Sequence, residues 1–176
     1  MKKNILTLVV ATIVAITFSS CGDEPKTYTE LLTISKGWVL SSATSSPAYE
    51  LSNNTFATNL ITDGYLSACE VDDIIKFTAN GGETIEPGKT NCSSELGYGY
   101  TKSVAATWKF NAEETHLFFQ IPFFYNAEGD SYDKEQENVE ILSLTETELR
   151  VKYTFDDVTS PAKTKYSFTL TYVPAK

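Results

Sequence analysis

The chain has 176 residues, with 23 Asp and Glu against 14 Lys and Arg, and a net charge of −9. So acidic a protein, with Arg150 as its one arginine, has no basic cluster to neutralise phosphates, which argues against a nucleic-acid partner. A single histidine and three cysteines narrow the possible catalytic and metal chemistry from the outset.

Met1-Lys2-Lys3 is a short positive start, and Ile5 to Phe18 follows without a charge, apolar apart from three threonines. That run is shorter than the roughly 20 apolar residues needed to cross a bilayer and has the length of a signal-peptide core. Phe18-Ser19-Ser20-Cys21 then resembles the lipobox at which bacterial lipoprotein precursors are cleaved. The expected organisation is a signal peptide over 1–20, a lipidated tether over 21–30 that begins at Cys21, and one domain over 31–176. Such a processing signal implies acyl chains on Cys21, a membrane partner reached through that lipid, and an outer-membrane location in the cell envelope. Which face of the membrane the domain occupies is left open. Removing residues 1–20 takes away two lysines and no acid, so the mature chain carries −11 over 156 residues. That length is enough for one domain with a real core.

Thr29 to Ile34 reads as a short helical turn. The rest reads as strands over 38–43, 73–79, 83–87, 104–110, 115–125, 137–144, 148–155 and 164–173. The clearest rows are Val104, Ala106, Trp108 and Phe110; Leu117, Phe119, Ile121, Phe123 and Tyr125; Leu149, Val151, Tyr153 and Phe155; and Tyr166, Phe168, Leu170 and Tyr172. Three of the four alternate with polar or small residues, the period of a strand with one buried face, while the Leu117 row has Phe118 and Phe124 among its alternate positions. Asn80-Gly81-Gly82 suits a tight hairpin, because Asn and Gly tolerate positive φ. Val139, Ile141, Leu142 and Leu144 change phase within one run, which calls for a bulge. Pro122 interrupts the longest row and belongs at a bulge or an unpaired edge. Residues 44–72 are weakly patterned, and Leu60 to Leu66 reads as a short helix or a loop. Short connections imply antiparallel neighbours. The expected fold is an all-β, eight-stranded, antiparallel up-and-down barrel, whose interior is filled by side chains or holds one small ligand.

With Cys21 assigned to lipid, Cys69 and Cys92 remain. Export permits a disulfide between them, worth roughly 3 kcal/mol in the chain-entropy picture; two free thiols are the alternative.

Leu31-Leu32-Thr33 with Lys36-Gly37-Trp38-Val39-Leu40, the block Cys69-Glu70-Val71-Asp72-Asp73-Ile74-Ile75-Lys76-Phe77 with Asn80-Gly81, Thr107-Trp108-Lys109-Phe110 with Leu117, and the closing row that ends at Val173-Pro174 together resemble the lipocalin-like lipoproteins of Bacteroidota. The resemblance spans nearly the whole mature chain and implies a small lipid-anchored β-barrel of lipocalin-like type. Its blocks are structural, namely core aromatics, a turn and a cysteine pair.

No catalytic constellation is expected. His116, which any His-dependent catalysis would need, follows Glu113-Glu114-Thr115 at an expected turn. Asp72 and Asp73 are adjacent, so on a strand they point to opposite faces. Neither that pair nor Asp156-Asp157 carries the loop of a calcium site. Two cysteines and one histidine do not make a zinc site, and no cofactor is called for. Gly97-Tyr98-Gly99-Tyr100 lacks the strand-to-helix context of a phosphate loop. The functional lead is the set of inward aromatics Trp38, Phe77, Trp108, Phe119, Phe123, Tyr153 and Phe168, which could line a site for a small apolar ligand. The alternative is a protein-interaction module, an inhibitor or accessory subunit for another envelope protein, with a packed barrel and an exposed aromatic patch. Exposure of Phe118 and Phe124 would favour that alternative. A monomer is expected in either case.

Overall fold

Side-chain alternation along nearly every strand sets the architecture, because each strand must turn one face inward and its neighbours must agree. The computed structural model describes residues 24–33, 36–51, 54–90, 104–119, 137–157 and 164–176. In chain order these form α1 (Tyr28–Thr33), β1 (Trp38–Glu50), β2 (Phe56–Asn59), α2 (Ala68–Val71), β3 (Ile74–Phe77), β4 (Gly82–Glu86), β5 (Val104–Thr107), β6 (Lys109–Phe110), β7 (His116–Phe119), β8 (Glu137–Leu144), β9 (Leu149–Asp156) and β10 (Lys165–Pro174). Every described pairing is antiparallel, in the order β5-β4-β3-β1-β10-β9-β8-β7-β6, with β2 added beside β1.

The two ends of that order, β5 and β6, are halves of one run. Val104 to Thr107 pairs with β4 and Lys109–Phe110 pairs with β7, so the chain crosses the seam of the sheet at Trp108. The first and last strands of the domain close the circuit through a long β1–β10 ladder, from Trp38 opposite Pro174 to Ser46 opposite Ser167. The result is an all-β, up-and-down, nearly closed barrel. Among the described residues ten strands stand where eight were expected, because the 104–110 run is broken at Trp108 and β2 is added. Each of the eight expected strands has a described counterpart at its place in the circuit.

Three short turns mark one end. At Thr78–Gly82 the Thr78 N–H donates to the Gly82 carbonyl at 2.8 Å, and Gly81 sits at φ +84°, where a side chain is disfavoured. At 111–116 the side-chain oxygen of Asn111 accepts the N–H groups of Thr115 and His116, each at 2.8 Å. At 145–148 the Thr145 N–H donates to the Glu148 carbonyl at 2.8 Å. α1 lies across this same end, started by a reciprocal cap: Thr27 N–H donates to Glu30 Oε2 at 2.8 Å, and Glu30 N–H donates to Thr27 Oγ1 at 3.2 Å. We call it the closed end. The opposite end carries the upper half of β1, β2 and α2.

The expected phase change in β8 is a bulge between Ile141 and Ser143, which leaves Val139 and Leu144 inside and Leu142 exposed. A second irregularity, between Leu40 and Ser42, was not expected. It moves the inward set from Trp38 and Leu40 to Ala43 and Ser45, and β1 runs on to Glu50 rather than stopping at 43. Residues 60–66 form turns, not a helix. Pro122 lies outside the described residues.

Candidate functional site

The interior at the closed end is packed ring against ring. Trp38 is fully buried, and its indole N–H donates to the Leu32 carbonyl of α1 at 2.8 Å, so the helix is stitched to the base of the barrel. Trp108 does the same to the Thr78 carbonyl at 3.0 Å. Phe77 meets Trp108 and Phe119 edge-on at centroid distances of 5.9 and 5.7 Å, and Phe119 meets Tyr172 at 6.5 Å. Gly37 makes room for this base. It has φ +129°, and a Cβ there would stand 2.4 Å from Ile74 Cγ2.

The inward face changes character toward the other end. Along β9, Leu149 and Val151 are completely buried, whereas Tyr153 and Phe155 are half-buried. A second aromatic group gathers there. Tyr49 of β1 lies 5.0 Å from Tyr65, 5.0 Å from Tyr166 and 5.4 Å from Phe168, each contact edge-on. Phe155 stacks on Tyr153 at 5.4 Å and meets Phe168 at 5.0 Å. Burial raises the Tyr49, Tyr65 and Tyr153 phenols above the ordinary tyrosine range. Nearby negative groups add to this, Glu70 at Tyr65 and Glu137 at Tyr153. These rings present apolar faces with polar tips, a combination suited to ligand contact.

The expected ligand row is thus divided. Trp38, Phe77, Trp108 and Phe119 belong to the closed end, Phe168 and Tyr153 belong to the aromatic group at the opposite end, and Phe123 lies outside the described residues. Tyr49, Tyr65, Phe155 and Tyr166 were not among the expected ligand residues. Tyr49 and Tyr65 fall in the weakly patterned 44–72, which hid them; Phe155 and Tyr166 stood in legible rows and could have been chosen.

His116 is half-buried at the start of β7, with Nδ1 3.0 Å from Thr115 Oγ1. Asp72 and Asp73 close α2 and precede β3. Asp73 accepts the Gly88 N–H at 3.2 Å and Asp72 accepts the Thr90 N–H at 2.8 Å, so both hold the chain leaving β4. Burial, with Asp72 and Glu70 adding to it, pushes Asp73 up to about 7 against the opposing pull of the Gly88 N–H. Among the described residues no three His, Cys, Asp or Glu side chains come together as a metal site, and no helix is long and apolar enough to cross a membrane. Cys69 is on α2; Cys21 and Cys92 lie outside the described residues. So do Gly97-Tyr98-Gly99-Tyr100 and Phe124. Phe118 is half-buried, with Lys109 Nζ 5.2 Å from its ring centre.

No protein-family description matches the chain, and no curated protein matches it. Among solved structures it is similar to the odorant-binding protein from bovine nasal mucosa, at 14% identity over 88% of this chain and 77% of that one, with a TM-score of 0.40. The complex of bovine odorant-binding protein with undecanal gives the same figures. A deswapped triple mutant of that protein is 13% identical over 81% of this chain and 74% of its own, with a TM-score of 0.39. The architecture stated above rests on the strand pairings of this chain.

Proposed function

We propose that the protein is a lipid-anchored envelope lipoprotein whose barrel takes up a small, mainly apolar molecule through the aromatic-lined open end. The observation that carries this reading is the gradient along β9, where an inward row that is sealed at Leu149 and Val151 becomes half-buried aromatic at Tyr153 and Phe155. A core built only for stability gains nothing from leaving Tyr153 and Phe155 partly uncovered, whereas a ligand would complete their burial.

The anchor is proposed on the charged start, the short apolar core and the small residues before Cys21. Where the tether meets the barrel is consistent with it: Lys26 pairs with Glu146 in the β8–β9 turn at the closed end. A lipid five residues earlier would hold that end toward the membrane and leave the open end facing away. The Cys69–Cys92 bridge is also proposed, on the pair of cysteines left once Cys21 carries lipid and on an exported location that permits a disulfide. Non-reducing peptide mapping that returned two free thiols would remove it.

The test of the ligand reading is a titration of the mature chain carrying Cys21→Ser with the apolar fluorophore N-phenyl-1-naphthylamine. Saturable one-to-one binding is expected, weakened about tenfold by Tyr153→Ala, or about 1.4 kcal/mol. A folded protein that leaves the dye in water contradicts the reading and turns attention to the packed interaction module.

A further inference from the structure

The corner where α2 meets β3 holds the chain that leaves β4 through side chains, not through a strand ladder. Asp73 accepts the Gly88 N–H at 3.2 Å, and Asp72 accepts the Thr90 N–H at 2.8 Å. The two segments lie so close that a Cβ on Gly88 would stand 2.2 Å from the Asp72 carbonyl oxygen and 2.4 Å from Asp72 Oδ1. Each acid answers one amide with one oxygen. The other oxygens, Asp72 Oδ1 and Asp73 Oδ2, are buried without a hydrogen-bond partner, and Asp73 is 3% exposed.

The charged groups inside this corner are acids. Glu70, in the same segment, is buried and takes the Ser67 N–H and hydroxyl on Oε2 at 2.7 and 2.6 Å. β4 brings Glu83, turned inward opposite Phe77, and Glu86, paired with Lys76 of β3. Lys89, between the two gripped residues, Lys36 ahead of β1 and Glu30 of α1 are exposed. Among the described residues no cation pairs with Glu70, Asp72 or Asp73. A carboxylate in such a place loses water and meets like charges, and both favour its protonated form. Asp73 is the more deeply placed of the gripping pair, and its raised pKa is in keeping with this.

We propose that the corner is a pH-sensitive clasp: with Asp73 protonated it holds residues 88–90 against α2 and β3, and with Asp73 ionised beside Asp72 it releases them. Opening returns the anion to water with the loss of two amide bonds. The direction follows from linkage. The closed form binds the Asp73 proton more tightly than the open form, so opening is favoured as pH rises toward neutral. The clasp acts locally, because the ladders of β3 with β1 and β4 run through other residues.

The test is amide hydrogen exchange by NMR on the mature chain with Cys21→Ser, each rate expressed as protection relative to an unstructured chain at the same pH. Gly88 and Thr90 are expected to lose about tenfold or more of their protection between about pH 5 and pH 8. The Thr145 amide, bonded to the Glu148 carbonyl at 2.8 Å, should keep its own. Asp73→Asn retains an oxygen for Gly88 and should hold the protection at the higher pH. The carboxyl NMR shift of Asp73 reports its titration in the parent, and the fall in protection must level off where Asp73 finishes ionising. Parent protection that does not change with pH, or that falls without regard to that titration, overturns the clasp whether or not Asp73→Asn folds. An equal fall in a folded Asp73→Asn overturns it as well.

Discussion

The two ends of the barrel continue the same strands and finish them differently. At the closed end both tryptophans are answered by backbone: the Trp38 and Trp108 indoles each donate to a carbonyl, of α1 and of the β3–β4 turn. At the other end Tyr49, Tyr65, Tyr153 and Phe155 are half-buried around the buried Tyr166 and Phe168, with the Tyr153 phenol facing the Glu137 carboxylate. The closed end has the marks of a plug and the open end those of a contact surface. Aromatic residues chosen from one alternating pattern therefore divide into two settings, one sealed with backbone partners for its indoles and one half-buried.

The largest effect should come from breaking the plug. Trp108 is 7% exposed and packs edge-on against Phe77 and Phe110, so Trp108→Ala is expected to lower stability by about 3–5 kcal/mol. That is a large part of a typical domain stability of about 5–15 kcal/mol. The check is chemical denaturation of the empty protein; an unchanged midpoint would mean that Trp108 lies outside the core.

A smaller effect is expected at Asp73, where pH sets the sign. Its folded value of about 7 lies above the ordinary 3.8, so the folded protein holds this proton more tightly than the unfolded chain. The stabilisation is complete below about pH 4, falls as pH rises through the window between the two values, and is gone above about 7. Asp73→Asn keeps an oxygen for the Gly88 N–H and removes the charge. It should be more stable than the parent at pH 8 by roughly 1–3 kcal/mol after allowance for screening, and no more stable at pH 4. A gain of equal size at both pH values would contradict this assignment.

The smallest effect on stability should come from the open end. Tyr153→Ala is expected to cost about 1 kcal/mol or less than half the Trp108→Ala loss, while it reduces dye binding. Thermal unfolding with and without N-phenyl-1-naphthylamine separates the two ends. Trp108→Ala should lower the midpoint of the empty protein, and Tyr153→Ala should mainly reduce the shift that the dye produces. The reverse order would break the comparison.

Most of the circuit was legible because period-2 alternation survives wherever inward residues are large. Tyr166, Phe168, Leu170 and Tyr172 mark β10, and the break at 141–143 announces its bulge. The pattern fails where a bulge and small residues coincide. After the shift at Leu40/Ser42 the inward positions of β1 are Ala43 and Ser45, which carry no hydrophobic signal, and β2 shows inward only Ala57. Glu83 escapes for the opposite reason, since a charged residue in a strand is read as solvent-facing, and only the register opposite Phe77 puts it inside. Tyr49 and Tyr65 join the aromatic group through contacts distant in sequence, which no local pattern encodes.

The most direct measurement of the central claim is a native mass spectrum of the protein extracted from its own envelope, paired with a denaturing spectrum of the same sample. The account predicts a chain that begins at Cys21 and carries acyl groups in both spectra, with a further one-to-one adduct of a small molecule that is lost on denaturation. An unmodified, adduct-free chain in both spectra would contradict the anchor and the ligand together.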